Sequence, residues 1–210
     1  KKIKKIAKSF DLEKEKKFIS NLQFQLTKDQ IKTLNEINQD LVSNQKMFRL
    51  LQGDVGSGKT IISLLSAFNT INSGFQVALM APTEILAKQH FNLAKKIFPN
   101  DLNLKFISGK SEYKYKKKIL HDLSLNKIHM IFGTHAIFQK KVEFKKLGLI
   151  IIDEQHKFGV NQRKKLSDKG GKNCDILLMT ATPIPRTLTM TMYGDMDISF
   201  IREKPKSRKP

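Results

Sequence analysis

The 210 residues carry 39 Lys and Arg against 19 Asp and Glu, a formal net charge of +20, with 40% hydrophobic and 8% aromatic content. That length and apolar fraction suit one globular domain, or one domain with an appendage. No apolar run of about 18 residues and no signal-peptide pattern argues for membrane insertion or secretion, and the lone Cys174 excludes an internal disulfide and fits a cytoplasmic protein. The positive field draws polyanions, nucleic acid first. Only Arg49, Arg163, Arg186, Arg202 and Arg208 are arginine, however, so roughly half of the charge reads as a lysine bias spread over the whole surface.

Residues 1–20 are Lys-rich, and Ile3, Ile6, Ala7 and Phe10 recur at i, i+3, i+4 and i+7. This periodicity predicts a helical leader whose apolar face packs on another part of the protein. A helix follows over 28–42, opened by Thr27 with Gln30 three residues on, the signature of a capping box. Strands are predicted over 47–52, 77–80, 104–107, 130–132, 149–153 and 176–180, and further helices over 59–72, 84–97, 112–125 and 184–192. Residues 202–210 are rich in Lys, Arg and Pro without an apolar anchor and read as a linker. The chain thus divides into a leader (1–23), an α/β domain (24–201) and a linker (202–210).

Continuous apolar strands such as Leu149-Ile150-Ile151-Ile152 suit a sheet covered on both faces. Strand–helix alternation implies right-handed crossovers and a mostly parallel central sheet, a three-layer α/β fold. Within helix 112–125, Tyr113-Lys114-Tyr115-Lys116-Lys117-Lys118 offers rings and cations of the kind that bind single strands. Ile119, Leu120 and Leu123 supply the apolar face of that helix, so the lysines read as its solvated side.

Gly53-Asp54-Val55-Gly56-Ser57-Gly58-Lys59-Thr60 is a full G-x-x-x-x-G-K-T between a predicted strand and a predicted helix. Its glycines let the backbone wrap phosphates, and the helix N-terminus adds partial positive charge. Lys59 would reach the β- and γ-phosphates of ATP, and the Thr60 hydroxyl would bind Mg2+. The second signal is the apolar run ending in Asp153-Glu154, which delivers two carboxylates to the C-terminal edge of the sheet. Asp153 would hold Mg2+ through water, and Glu154 would orient and deprotonate the attacking water. Third, Thr180-Ala181-Thr182 ends a strand just before Pro183-Ile184-Pro185-Arg186, where small hydroxyls can bond a neighbouring His and a backbone carbonyl.

Phosphate loop, Asp-Glu-x-His and Thr-Ala-Thr, in this order, resemble the first motor domain of superfamily 2 helicases over about residues 24–210. Leu50-Leu51-Gln52-Gly53-Asp54-Val55-Gly56-Ser57-Gly58-Lys59-Thr60, Ala81-Pro82-Thr83-Glu84-Ile85-Leu86-Ala87, Gly133-Thr134-His135-Ala136, Asp153-Glu154-Gln155-His156-Lys157-Phe158-Gly159-Val160 and Thr180-Ala181-Thr182-Pro183-Ile184-Pro185-Arg186-Thr187-Leu188 are similar to RecG-type DNA helicases. Transcription–repair coupling translocases share several segments but typically have Phe at the place of Ser57 and Glu-Gln at Gln155-His156; Lys157 stands where RecG-type chains usually carry Arg. The resemblance implies a RecA-like P-loop NTPase domain with ATP and Mg2+ as cofactors. It implies that Gln30 reads the adenine edge while also capping its helix. Gly53, Gly56, Ser57, Gly58, Lys59 and Thr60 would hold the phosphates, and His156 would couple the nucleotide to Thr180, Thr182 and Arg186. Pro82, Thr83, Glu84, Gly133, Thr134 and His135 would touch the DNA backbone, a sequence-independent contact that suits a translocating motor.

The function implied is an ATP-driven motor that remodels branched DNA, such as stalled forks and Holliday junctions, in recombination and repair. Its alternative is a superfamily 2 motor on another track, either RNA or a transcription complex. Partners implied are DNA, a second RecA-like domain and a wedge domain of the same longer chain, with no membrane. The second domain of such motors supplies an arginine finger worth about 10³–10⁵ in rate. The 210-residue chain alone is therefore expected to hydrolyse ATP near background. Robust turnover by a verified monomer, abolished by Glu154→Gln, contradicts that expectation.

Overall fold

The computed structural model describes residues 3–139, 141–153, 171–182 and 196–203. In chain order these form α1 (Leu12–Ser20), α2 (Lys28–Val42), β1 (Phe48–Gly53), α3 (Lys59–Asn72), β2 (Gln76–Met80), α4 (Glu84–Ile97) and β3 (Leu104–Ile107). α5 (Tyr113–Ser124), β4 (Met130–Gly133), a 3-10 turn (His135–Phe138), β5 (Leu147–Ile152), β6 (Asp175–Thr180) and β7 (Asp197–Ile201) follow. The seven strands make one sheet in the order β3-β4-β2-β5-β6-β1-β7, every pairing parallel.

Alternation along each strand sorts side chains to the two faces. Val77, Leu79, Leu149, Ile151, Leu177 and Met179 pack with α1, α2, α3 and α4, while Ala78, Met80, Ile150, Ile152, Ile176 and Leu178 pack with α5 and the 3-10 turn. Both faces are covered, which is why these strands read as continuous apolar runs. Asp11 caps α1 by accepting from Glu13 N, Thr27 caps α2 by accepting from Gln30 N, and Thr83 caps α4 by accepting from Leu86 N. The lysines of α5 stay on its outer side while Ile119 and Leu123 are buried, as the periodicity indicates. Cys174 is buried, and burial pushes its thiol up to about 12, so it is a packing residue rather than a nucleophile.

Two expectations need correction. The leader is helical only from Leu12: residues 3–10 form no helix, and Lys4 bridges antiparallel to Gln45. The apolar residues expected to face inward, Ile3 and Ile6, are 49% and 61% exposed, whereas Lys5 and Lys8 are buried. The physical reason is a tertiary charge. Asp175, at the start of β6, accepts from Lys5 Nζ at 2.6 Å, Lys8 Nζ at 2.5 Å and Met47 N at 2.7 Å. Through these lysines the segment packs against the start of β6, and α1 stacks Phe18 on Phe68 with ring centroids 4.4 Å apart. The other correction is β7, an edge strand the sequence reading omits. It pairs with β1 and turns Ser199 and Ile201 inward but leaves Phe200 42% exposed, so its apolar pattern is weak. The expected helix 184–192, and Glu154, His156 and Arg186, lie outside the described residues.

Burial pushes the Lys5 ammonium below its usual range, with Asp175 pulling the other way. Asp175→Ala takes the carboxylate from two buried ammonium groups, leaving them only backbone carbonyls, and the acceptor from the Met47 N–H. It is expected to cost about 3–5 kcal/mol in urea denaturation, against about 1–2 kcal/mol for Lys5→Met, which leaves Lys8 paired. Equal losses for the two variants contradict this account.

Candidate active site

Because every strand runs the same way, β1, β2, β4, β5 and β6 all deliver their C-terminal ends to one edge. β1 ends at Gly53, and the phosphate loop carries the chain into α3. Gly56 and Gly58 sit at φ 83 and 91, the left-handed region that a side chain disfavours. A Cβ at Gly58 would also run into Gln30 Nε2, and one at Gly53 would lie 2.7 Å from Ile201 O of β7. The loop is thus drawn close between α2 and the edge strand. Gly58, the N-cap of α3, supplies no side-chain cap, so the first N–H groups of α3 keep the arrangement that receives a phosphate. Lys59 Nζ donates to Gly53 O at 2.5 Å and Asp54 O at 2.9 Å, holding the ammonium over its own loop. Ser57 Oγ is buried without a hydrogen-bond partner among the described residues.

Gln30 performs the capping role: its Oε1 accepts from Thr27 N at 2.9 Å, closing the capping box. Its Nε2 donates to Ser57 O at 2.7 Å and so braces the phosphate loop. An amide has two hydrogens on nitrogen and two lone pairs on oxygen. One donor and one acceptor remain, the pair an adenine edge demands. Gln30 is only 1% exposed, so neighbouring residues must move before any base reaches it.

Asp153 follows β5 directly, its N–H donating to Met80 O at 2.9 Å. β6 lies between β5 and β1, so the carboxylate and the phosphate loop stand roughly 10 Å apart across two strand spacings. The end of β6 fills that interval: Thr180 Oγ1 and Thr182 Oγ1 are 2.9 Å apart, and Thr182 N donates to Thr180 Oγ1. Thr60 is the second residue of α3 and half-buried at the loop's end. Thr60 and Asp153 offer only oxygen donors, the kind Mg2+ takes. Among the described residues no cluster of three His, Cys, Asp or Glu forms a metal cage.

The other half of the edge carries the residues assigned to DNA. Pro82, Thr83 and Glu84 follow β2, while Gly133, Thr134 and His135 follow its neighbour β4. Thr83 Oγ1 is engaged as the cap of α4, and Glu84 Oε1 accepts from Gly109 N at 2.5 Å, tying the loop after β3 to the head of α4. A Cβ at Gly133 would lie 2.8 Å from Ile107 O, so this strand end admits only glycine without displacement. Sequence reasoning missed His90 on α4, whose Nε2 lies 2.6 Å from Asp153 Oδ2. A single His inside a helix carries no local signal; only the fold brings it to the carboxylate.

A sheet that presents a phosphate loop, a carboxylate and a hydroxyl pair on one edge is the mark of RecA-like motor domains. The family profile of DEAD/DEAH box helicases matches residues 27–191, most of the chain, and the chain belongs to that family. Among its relatives, the ATP-dependent DNA helicase RecG of Streptococcus pneumoniae is 52% identical over 190 residues, covering 90% of this chain and 28% of that protein. RecG of Borreliella burgdorferi is 48% identical over 203 residues, covering 95% and 29%. A solved structure of RecG bound to a three-way DNA junction superposes with a TM-score of 0.86 at 40% identity, covering 98% of this chain and 28% of that one. The DEAD-box helicase Mss116 bound to ssRNA, at 20% identity and a TM-score of 0.70, shares the fold. The chain spans under a third of the length of the RecG relatives.

The double duty of Gln30 separates two substitutions. Thr27→Ala is expected to lower the thermal midpoint by roughly 2–4 °C for the loss of about 1 kcal/mol of capping, with nucleotide affinity unchanged. Gln30→Ala loses the cap and the Ser57 brace and is expected to weaken nucleotide binding as well. Equal affinities in the two variants, titrated with a fluorescent ATP analogue, contradict a brace on the loop.

Proposed function

We propose that this chain is the ATP-binding motor domain of a RecG-type helicase, which turns ATP hydrolysis into movement along DNA and so remodels forks and junctions. The observation that carries the reading is the shared sheet edge: the phosphate loop on β1 and Asp153 on β5 stand beside the β2 and β4 ends that carry Pro82, Thr83, Glu84, Gly133, Thr134 and His135. The near-half identity to RecG proteins and the RecG structure on a three-way junction favour branched DNA over RNA or a transcription complex as the track.

In this reading the backbone N–H groups of Gly56, Ser57 and Gly58 and the head of α3 bind the phosphates. Lys59 leaves the carbonyls of Gly53 and Asp54 for them, because a charged acceptor outcompetes a neutral one. Thr60 and Asp153 would hold Mg2+, which would supply positive charge against the phosphates. Glu154 takes a proton from the attacking water. Gln30 reads adenine, and His156 passes the phosphate state to Thr180, Thr182 and Arg186. The excess of Lys over acidic residues supports phosphate-backbone binding. A second RecA-like domain supplies the arginine finger and a wedge domain the preference for branches. No described helix is long and apolar enough to cross a membrane, and with one buried thiol we place the protein in the cytoplasm.

ATP turnover by the full-length protein at about 0.1 M salt, with matched fork, linear duplex, single-stranded DNA and RNA, tests the reading. The fork is expected to stimulate most, and Lys59→Ala to cut turnover on the order of 10²-fold or more. Equal or greater stimulation by RNA, or none by any nucleic acid, overturns the assignment to branched DNA.

A further inference from the structure

α4 lies between the two halves of the site. Its head, capped by Thr83, belongs to the segment assigned to DNA, and six residues after Glu84, roughly 9 Å along the axis, it presents His90 to the end of β5. His90 is 8% exposed, and its Nε2 meets Asp153 Oδ2 at 2.6 Å with both side chains largely buried. A carboxylate only accepts, so Nε2 carries the hydrogen. The backbone of Asp153 is fastened to Met80 of β2, and α4 is the helix that follows β2. Main chain and side chain of Asp153 are therefore both held by the β2–α4 unit.

We propose that His90 is a positioning residue for the motor reaction: by fixing Oδ2 of Asp153 it sets the orientation in which that carboxylate receives Mg2+. The inference rests on the motor reading above. Hydrogen bonds of this sort orient carboxylates that bind metals, and losing one typically costs about 10–100-fold in metal affinity. His90 touches neither the phosphates nor the attacking water in this account. Its effect is confined to the metal, and that distinguishes it from Lys59 or Glu154. The same helix is capped by Thr83 and begins at Glu84, so one rod joins the proposed DNA track to the carboxylate proposed to bind the metal.

The test uses the full-length protein and a fluorescent ATP analogue. For wild type, His90→Ala and His90→Gln, the Mg2+ concentration that half-completes the tightening of analogue binding is measured, together with the thermal midpoint. Gln places an amide N–H near the reach of imidazole Nε2 and keeps the donor without the ring. His90→Ala is expected to raise the Mg2+ midpoint about 10-fold while Mg2+-free affinity stays within about twofold of wild type, and His90→Gln to recover most of the loss. An unchanged Mg2+ midpoint in His90→Ala, whether or not the protein is less stable, overturns the proposal. A His90→Gln protein as impaired as His90→Ala overturns it too. Wild-type protein that binds the analogue equally with and without Mg2+ overturns the motor reading and this inference with it, and the wild-type titration alone tells that failure apart.

Discussion

Parallel pairing throughout the sheet is the constraint from which the site follows. A parallel strand returns only through a crossover on a face of the sheet, so every strand ends on the same edge. The two apolar faces left by this arrangement are then covered by α1–α4 on one side and by α5 with the 3-10 turn on the other. Strand order does the rest. The β1–β2 crossover through α3 passes over β5 and β6, leaving the phosphate loop on one side of Thr180 and Asp153 on the other. The β2 and β4 ends form a second, adjacent stretch of the same edge. The residues proposed for nucleotide and for track therefore meet at one rim without being close in sequence.

The opposite edge holds buried charge. Asp175 opens β6 among Lys5, Lys8 and the N–H of Met47, and it fastens the leader to the strand whose far end carries Thr180. Among the helices, Asn38 Nδ2 donates to Glu15 at 2.7 Å and Asn69 Nδ2 to Asn38 Oδ1 at 2.9 Å, while Asn69 also bonds Glu15, joining α1, α2 and α3. Arg49 donates to Asp40 at 2.7 Å and to Ser199 at 2.8 Å, locking β1 between α2 and β7. Such groups are costly to leave unpaired. They join segments distant in sequence, whereas the site edge combines the glycines and hydroxyls of the loops with the Asp153–His90 pair.

What was legible in the residues is what is made locally. Helices 28–42, 59–72 and 84–97 and strand 104–107 stand at their expected bounds because their caps, their glycines and their apolar periods are all near in sequence. The strand–loop–helix of residues 48–72 was legible for the same reason, since its turn is set by Gly56 and Gly58. The leader misled because four apolar residues at helical spacing outweighed Asp11, whose cap places the helix start later. The partner that buries Lys5 lies 170 residues away, beyond any window of periodicity. β7 hid because Ser199 faces inward and Phe200 outward. His90 had no signal at all until α4 was laid beside β5.

The central claim, that phosphates and metal sit between the loop of β1 and the end of β5, is tested most directly by locating the cation. Crystals of the full-length protein with a non-hydrolysable ATP analogue and Mn2+ in place of Mg2+ give that position by anomalous scattering. The account predicts one peak at about 2.1 Å from Thr60 Oγ1, on the side of Asp153 and against the phosphates held by residues 53–60. A nucleotide bound away from that loop, or a cation remote from both Thr60 and Asp153, contradicts it.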